Sequence, residues 1–76
     1  MVEYKLFIQK KYINSSSHYN TYGIIVFENG RHIRTVKDVS VNKEAVIDLI
    51  DTFNKYGLEL CHLNQAIEDF LYTDAV

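Results

Sequence analysis

The side chains that could carry out chemistry begin with Cys61 and His62, an adjacent thiol and imidazole. Such a pair can act as nucleophile and base, or can bind a soft metal ion. A structural zinc site usually takes ligands from paired short spacings, but the other histidines, His18 and His32, lie far away and no CxxC or HxxxH occurs. Neighbouring residues at a helix start point in different directions, and no third group is spaced to orient a base. We therefore expect no metal site and no Cys–His nucleophile, with Cys61 buried where two helices meet.

Other patterns typical of enzymes are missing from the sequence. Its three glycines are isolated and form no phosphate-binding loop, and its paired carboxylates fall on predicted solvated helix faces. A chain of 76 residues also has little material for both a core and a closed pocket. We predict that the protein is not an enzyme, needs no cofactor and has no small-molecule substrate.

A more informative group of residues lies on one face of a predicted sheet, here called the outer face, where apolar side chains alternate with basic ones. These candidate binding residues are Lys5, Phe7, Lys11, Ile25, Phe27, His32 and Arg34. An exposed apolar patch on a monomer needs a cover, and a second copy or a protein partner would supply one. Aromatic rings among cations also suit the stacking of single-stranded bases. We predict binding of a protein partner or homodimerisation, with RNA or single-stranded DNA binding as the alternative.

A β-hairpin must position this face, and the dipeptide Asn29-Gly30 predicts where it turns. Both residues tolerate the positive φ angles of a type I′ turn, whose twist suits a two-residue loop. The loop fixes the register and predicts three facing pairs on the inner side of the sheet: Glu28 with Arg31, Val26 with Ile33, and Ile24 with Thr35. The outer face then carries Phe27, His32, Ile25, Arg34, Gly23 and Val36.

Residues 2–13 alternate between apolar and polar types, which is the period of a half-buried strand. The polar stretch 14–18 contains three serines and favours a turn. The sequence therefore predicts a three-stranded antiparallel meander. Its core face combines Val2, Tyr4, Leu6, Ile8 and Tyr12 of the first strand with Tyr22, Ile24, Val26 and Ile33 of the hairpin.

After the hairpin the apolar residues recur at intervals of three and four, the period of an amphipathic helix. Its apolar stripe is Val41, Ala45, Val46, Leu49, Ile50 and Phe53. Asn54 falls on its wet side, Ser40 or Asn42 can cap its start, and Gly57 can end it. The apolar side of a shorter second helix is Leu60, Leu63, Ala66, Ile67, Phe70 and Leu71, and residues 73–76 are expected to fray.

The predicted fold is one α+β domain over residues 1–76, in the order βββαα, with both helices packed on one face of the sheet. The outer face stays bare in this arrangement. The alternatives are that one helix crosses to that side or that the sheet curls.

The two halves of the chain differ in charge. Residues 1–38 carry six Lys or Arg and three Asp or Glu, whereas residues 39–76 carry two and seven. The excess of positive charge in the strand half is small for a nucleic-acid binder, so we rank a protein partner above RNA. A third hypothesis is an inhibitor of a nucleic-acid-binding machine that presents the acidic helices.

Compartment is predicted from the single cysteine and the hydropathy pattern. Cys61 has no internal disulfide partner, which suits a reducing compartment. No signal-peptide pattern opens the sequence, and no run approaches the roughly 20 apolar residues of a membrane span. We expect a cytoplasmic protein without a membrane partner.

Three short motifs occur in a recognisable order: Thr21 to Ile24 opens an apolar strand, Lys37 to Ser40 ends the hairpin, and His62-Leu63 precedes Ile67 to Leu71. With the acidic helix between them, they resemble a family of short proteins of unknown function from clostridial Firmicutes. The similarity covers about residues 19–71. It implies a bacterial cytoplasmic protein and assigns no catalytic residue.

Overall fold

Three antiparallel strands form an open sheet in the order β1-β2-β3, and two α-helices follow them in the chain. This is a computed structural model that describes residues 1–74. The elements are β1 (Val2–Tyr12), β2 (His18–Glu28), β3 (Arg31–Ser40), α1 (Lys43–Tyr56), a 3-10 helix (Leu60–His62) and α2 (Leu63–Asp74). The predicted α+β class and the βββαα order are confirmed. We expected fraying over residues 73–76, but α2 continues to Asp74, and residues 75 and 76 lie outside the described residues.

The β2–β3 hairpin turns where the sequence predicts. Asn29 and Gly30 have φ angles of 54° and 83°, the positive values that a type I′ turn requires. Glu28 pairs with Arg31 across the turn, as the two-residue loop demands.

The predicted register fails two residues beyond the turn, because β3 contains a bulge. Phe27 still pairs with His32, but Val26 pairs with Arg34, which leaves Ile33 as the extra residue. The predicted pairing of Val26 with Ile33 is therefore wrong, and so is the place of Ile33 in the core, since its exposed fraction is 44%. A bulge of one residue exchanges the two faces of the strand beyond it.

The same shift corrects the rest of the predicted register. Ile24 pairs with Val36 and Ile25 pairs with Thr35. Val36 thus packs against the core instead of lying on the outer face. A second irregularity follows before Tyr22 pairs with Ser40, and within it Asp38 adopts a positive φ of 56°.

The hydrophobic core lies between the inner face of the sheet and the two helices. Its buried residues are Tyr4, Ile24, Val26, Val39, Val46, Ile50, Phe53, Leu63 and Ile67. The prediction for the middle of β1 and β2 is confirmed, whereas Ile8 and Tyr12 at the far end of β1 are exposed, because α1 and α2 do not reach them. The thinnest extent of the Cα atoms is 17 Å, which fits one sheet and one layer of helices.

The ends of α1 follow the predicted capping chemistry. The side chain of Asn42 accepts a hydrogen bond from the Ala45 amide at 3.2 Å, so Asn42 is the N-cap. Gly57 ends the helix in the left-handed conformation, with φ at 63°.

Candidate functional site on the outer face of the sheet

The outer face has an apolar end, formed by Phe7, Ile25 and Phe27. All three side chains are half-buried, and none belongs to the core cluster. Within residues 1–74, α1 and α2 pack on the opposite face, against Tyr4 and its neighbours, and leave the apolar end without a helix over it.

Phe27 is the centre of the contacts at this end. Its ring meets the His32 ring edge to face, with centroids 5.9 Å apart, and the Lys5 ammonium lies 5.4 Å from the Phe27 centroid. Lys5 also lies 3.7 Å from a carboxylate oxygen of Glu3. The cation of this end therefore lies beside both an aromatic ring and an acid.

The other end of the outer face is polar, and Asp38 links its strands there. The Thr21 hydroxyl donates to Asp38 at 2.7 Å, and the Lys11 ammonium lies 3.2 Å from the second oxygen of the Asp38 carboxylate. The hydrogen bond from Thr21, together with Lys11 and Lys37, holds the pKa of Asp38 below its ordinary value. The positive φ of Asp38 belongs to the β3 irregularity that brings this carboxylate across to β1.

The structure divides the seven predicted binding residues into three groups. Lys5, Phe7, Ile25, Phe27 and His32 come together at the apolar end. Lys11 lies at the polar end, paired with Asp38. The prediction that Arg34 lies on the outer face is wrong, because the bulge at Ile33 sets Arg34 opposite Val26 on the inner side.

The predicted set leaves out several residues that also lie on the outer face, among them Glu3, Thr21, Thr35 and Asp38. Glu3 was accessible to prediction, because it shares the strand parity of Lys5. Thr35 replaces Arg34 opposite Ile25 and bonds to Nε2 of His32 at 2.8 Å. Asp38 reaches this face only because β3 is irregular, and the alternation of residue types does not reveal that.

The charges of this face are matched in pairs. Lys5 lies against Glu3, and Lys11 lies against Asp38. A face with paired charges attracts a polyanion only weakly, whereas its apolar end still gains from burial.

A second cluster of chemical interest contains Glu59, Cys61 and His62. We expected Cys61 to be buried, but it is exposed, as are the other two. The expectation that Cys61 and His62 point apart is also wrong, since one possible ligand atom from each of the three residues lies within 4.8 Å of the others.

A shallow cleft of about 530 Å³ separates the start of β1 from the end of α1, and its lining comprises Met1, Val2, Glu3, Asn54, Gly57, Leu58 and Glu59. Asn54 is the neutral polar side chain there. Its amide oxygen accepts a hydrogen bond from the Tyr4 N–H, and its amide nitrogen donates one to the Tyr4 carbonyl. The cleft therefore contains two carboxylates, those of Glu3 and Glu59, and the second of them also belongs to the cluster with Cys61 and His62.

The fold and the site define a small α+β protein with an open antiparallel sheet, one face of which carries paired charges and is covered by neither helix within the described residues. The chain matches the model of a family of unknown function, DUF6514, over residues 1–73, and it belongs to that family. Comparisons with curated proteins and with solved structures gave no match. Neither helix of the described residues has the length and apolar character needed to cross a membrane.

Proposed function

We propose that this protein is a non-enzymatic interaction module that binds a second copy of itself through the apolar end of the outer face. The observation that carries the proposal is that Phe7, Ile25 and Phe27 lie half-buried on a face that neither helix covers within the described residues. Apolar patches of this kind on small domains mark interaction sites. Burying them contributes about 25 cal/mol for each Å² of apolar surface removed from water.

The charge pattern favours a second copy as the occupant. In a two-fold contact the same patch lies on both subunits, so an unpaired charge near the axis would lie close to its own copy. Lys5 lies against Glu3 and over the Phe27 ring, which lowers the repulsion between two copies of Lys5. A face with paired charges is therefore compatible with its own copy.

The same pattern argues against nucleic acid as the partner. Arg34 lies on the inner side of the sheet, and Lys11 lies against Asp38. Affinity for nucleic acid depends mainly on cations that neutralise phosphates, and the apolar end offers Lys5, itself beside a carboxylate.

The variant Phe27→Glu tests the proposal. A carboxylate at a dry two-fold contact would meet its own copy, so we expect the wild type to be a dimer and Phe27→Glu to be a monomer. Multi-angle light scattering gives the mass, and circular dichroism on the same sample checks the fold.

Ile33→Glu is the matched control, because it places the same charge on an apolar residue of the hairpin whose side chain is already 44% exposed. We expect this variant to remain a dimer. A monomeric wild type, or a folded Phe27→Glu variant that remains a dimer, would contradict the proposal.

The nucleic-acid alternative has its own readout. Fluorescence anisotropy with labelled single-stranded RNA, repeated at several salt concentrations, should show no tight binding by the wild type. A salt-dependent affinity that falls in a Lys5→Gln variant would instead favour RNA binding by the outer face.

We further propose that the protein acts in the cytoplasm of a clostridial cell. The resemblance of its sequence motifs to clostridial proteins supports this organism. The free cysteine supports a reducing compartment, since Cys61 is exposed and has no disulfide partner in the described chain.

A further inference from the structure

We propose that Glu59, Cys61 and His62 form a zinc-binding site. This site shares no residue with the apolar end of the outer face and does not depend on the proposed dimer. Its ligands would be one carboxylate oxygen, the thiolate sulfur and one imidazole nitrogen, all drawn from four consecutive positions of one chain.

The distances between these atoms suit one small ion. The three ligand atoms lie within 4.8 Å of one another, and Sγ of Cys61 lies 3.7 Å from Oε2 of Glu59. Zinc bonds of about 2.0–2.3 Å in a tetrahedron set the ligand atoms roughly 3.3–3.8 Å apart. The three side chains are exposed, so rotation about their side-chain bonds can move the ligand atoms by the ~1 Å that this difference requires.

The backbone around the site explains why three neighbouring side chains converge. Residues 60–62 form a 3-10 helix, in which the His62 amide donates to the Glu59 carbonyl at 3.0 Å. A 3-10 helix has three residues per turn, so Leu60 and Leu63 lie on one side of it. Leu63 is 0% exposed and Leu60 packs against the core.

The burial of those two leucines has two consequences for the ligands. It leaves Glu59, Cys61 and His62 on the solvent side, where an ion has access to all three. It also fixes the turn from beneath, so that the ligands need only rotate to bind.

The donor set selects the metal. A thiolate and an imidazole favour zinc over magnesium or calcium, which prefer ligand sets made of oxygen alone. Three protein ligands leave the fourth tetrahedral position for water or for a group on a bound molecule. Binding breaks the S–H bond of Cys61, forms a bond between zinc and sulfur, and releases the proton to solvent.

Titration of the full chain with Co²⁺, followed by displacement with Zn²⁺, tests the site. We expect the absorption band of sulfur-to-cobalt charge transfer to saturate at one ion per chain and to disappear when Zn²⁺ is added. Cys61→Ser should abolish the band. Glu59→Gln and His62→Gln should each weaken zinc binding about tenfold or more, as measured by calorimetry.

His18→Gln is the control, since His18 is an exposed histidine on β2. It should bind as the wild type does. Because the three ligands are exposed, we expect every variant to keep the circular dichroism spectrum of the wild type. An absent charge-transfer band, wild-type affinity in both Glu59→Gln and His62→Gln, or one ion for every two chains would overturn the site.

Discussion

Gly23 and Gly30 are glycines for different physical reasons. A Cβ built at Gly23 would overlap the carbonyl oxygen of Val36, in the stretch where β3 departs from regular pairing. A Cβ at Gly30 meets nothing within 4 Å, and its difficulty is the positive φ of 83°. Glycine is required at Gly23 because the main chain of β3 comes close to it. Glycine is favoured at Gly30 because its φ angle is positive.

We predict that Gly23→Ala lowers the free energy of unfolding by roughly 2–4 kcal/mol, because the main chain of β3 must move to admit the methyl group. Gly30→Ala should lower it by about 1–2 kcal/mol, the cost of a left-handed alanine. Urea midpoints of the two variants and the wild type give the comparison. A cost at Gly23 no larger than that at Gly30 would show that β3 moves aside easily.

Among the elements, β3 departs furthest from what its sequence indicates. Ile33 has the residue type of a core position, and a regular strand would bury it opposite Val26. The bulge exposes Ile33 and turns Val36 towards the core, while Val39, 4% exposed, is buried beyond the second irregularity. Two valines are thereby packed in place of one isoleucine.

The hairpin shows where sequence reasoning succeeds and where it stops. Asn29 and Gly30 identify the turn, because few other residues accept its φ angles. The bulge has no comparable signal, since both registers bury apolar residues and the choice depends on packing against the helices. The bulge matters for the site, because it moves Arg34 away from the outer face.

Asp38 belongs to the second irregularity of β3, and the pH dependence of stability should report its contacts. Its pKa is lowered in the folded protein from an ordinary 3.8, mainly by the hydrogen bond from Thr21. The charged carboxylate of Asp38 therefore stabilises the fold at pH values above its ordinary pKa. This stabilisation is lost as the pH falls through the lower pKa of the folded protein.

We predict that Asp38→Asn is less stable than the wild type at pH 7 and that the difference narrows at pH 3. Asparagine tolerates the positive φ of this position, so the variant changes the charge without straining the backbone. Urea midpoints at the two pH values provide the measurement, with Asp51→Asn on the exposed side of α1 as the control for a lost charge. A difference that does not change with pH would show that the Asp38 charge has no part in stability.

Across the whole molecule, Tyr4 joins the sheet to the helical layer. Its ring packs edge to face on Phe53 at 5.3 Å, and its hydroxyl donates to the Leu58 carbonyl at 2.7 Å. The Asn54 amide accepts from the Tyr4 N–H and donates to the Tyr4 carbonyl, each at 2.9 Å. Burial raises the pKa of the Tyr4 hydroxyl, which keeps it a hydrogen-bond donor.

The place of Tyr4 on the core face followed from the alternation of β1, but the role of Asn54 did not. A polar residue on the wet side of a helix is normally read as solvated. Here the Asn54 side chain bonds the main-chain N–H and C=O of Tyr4 on the side of β1 that faces away from β2. Such a contact depends on where α1 lies over the sheet, which no local pattern in the sequence specifies.

We predict that Asn54→Ala lowers the free energy of unfolding by about 1–3 kcal/mol, because it leaves the N–H and C=O of Tyr4 without partners. Asn64→Ala, on the exposed surface of α2, is the matched control and should change the urea midpoint little.

Loss of Asn54 also frees an edge strand, so we expect species larger than a dimer in light scattering. These species should persist in a Phe27→Glu/Asn54→Ala double variant, because edge pairing does not use the outer face. If Asn54→Ala matches Asn64→Ala in midpoint and mass, the amide neither docks α1 nor protects the edge of β1.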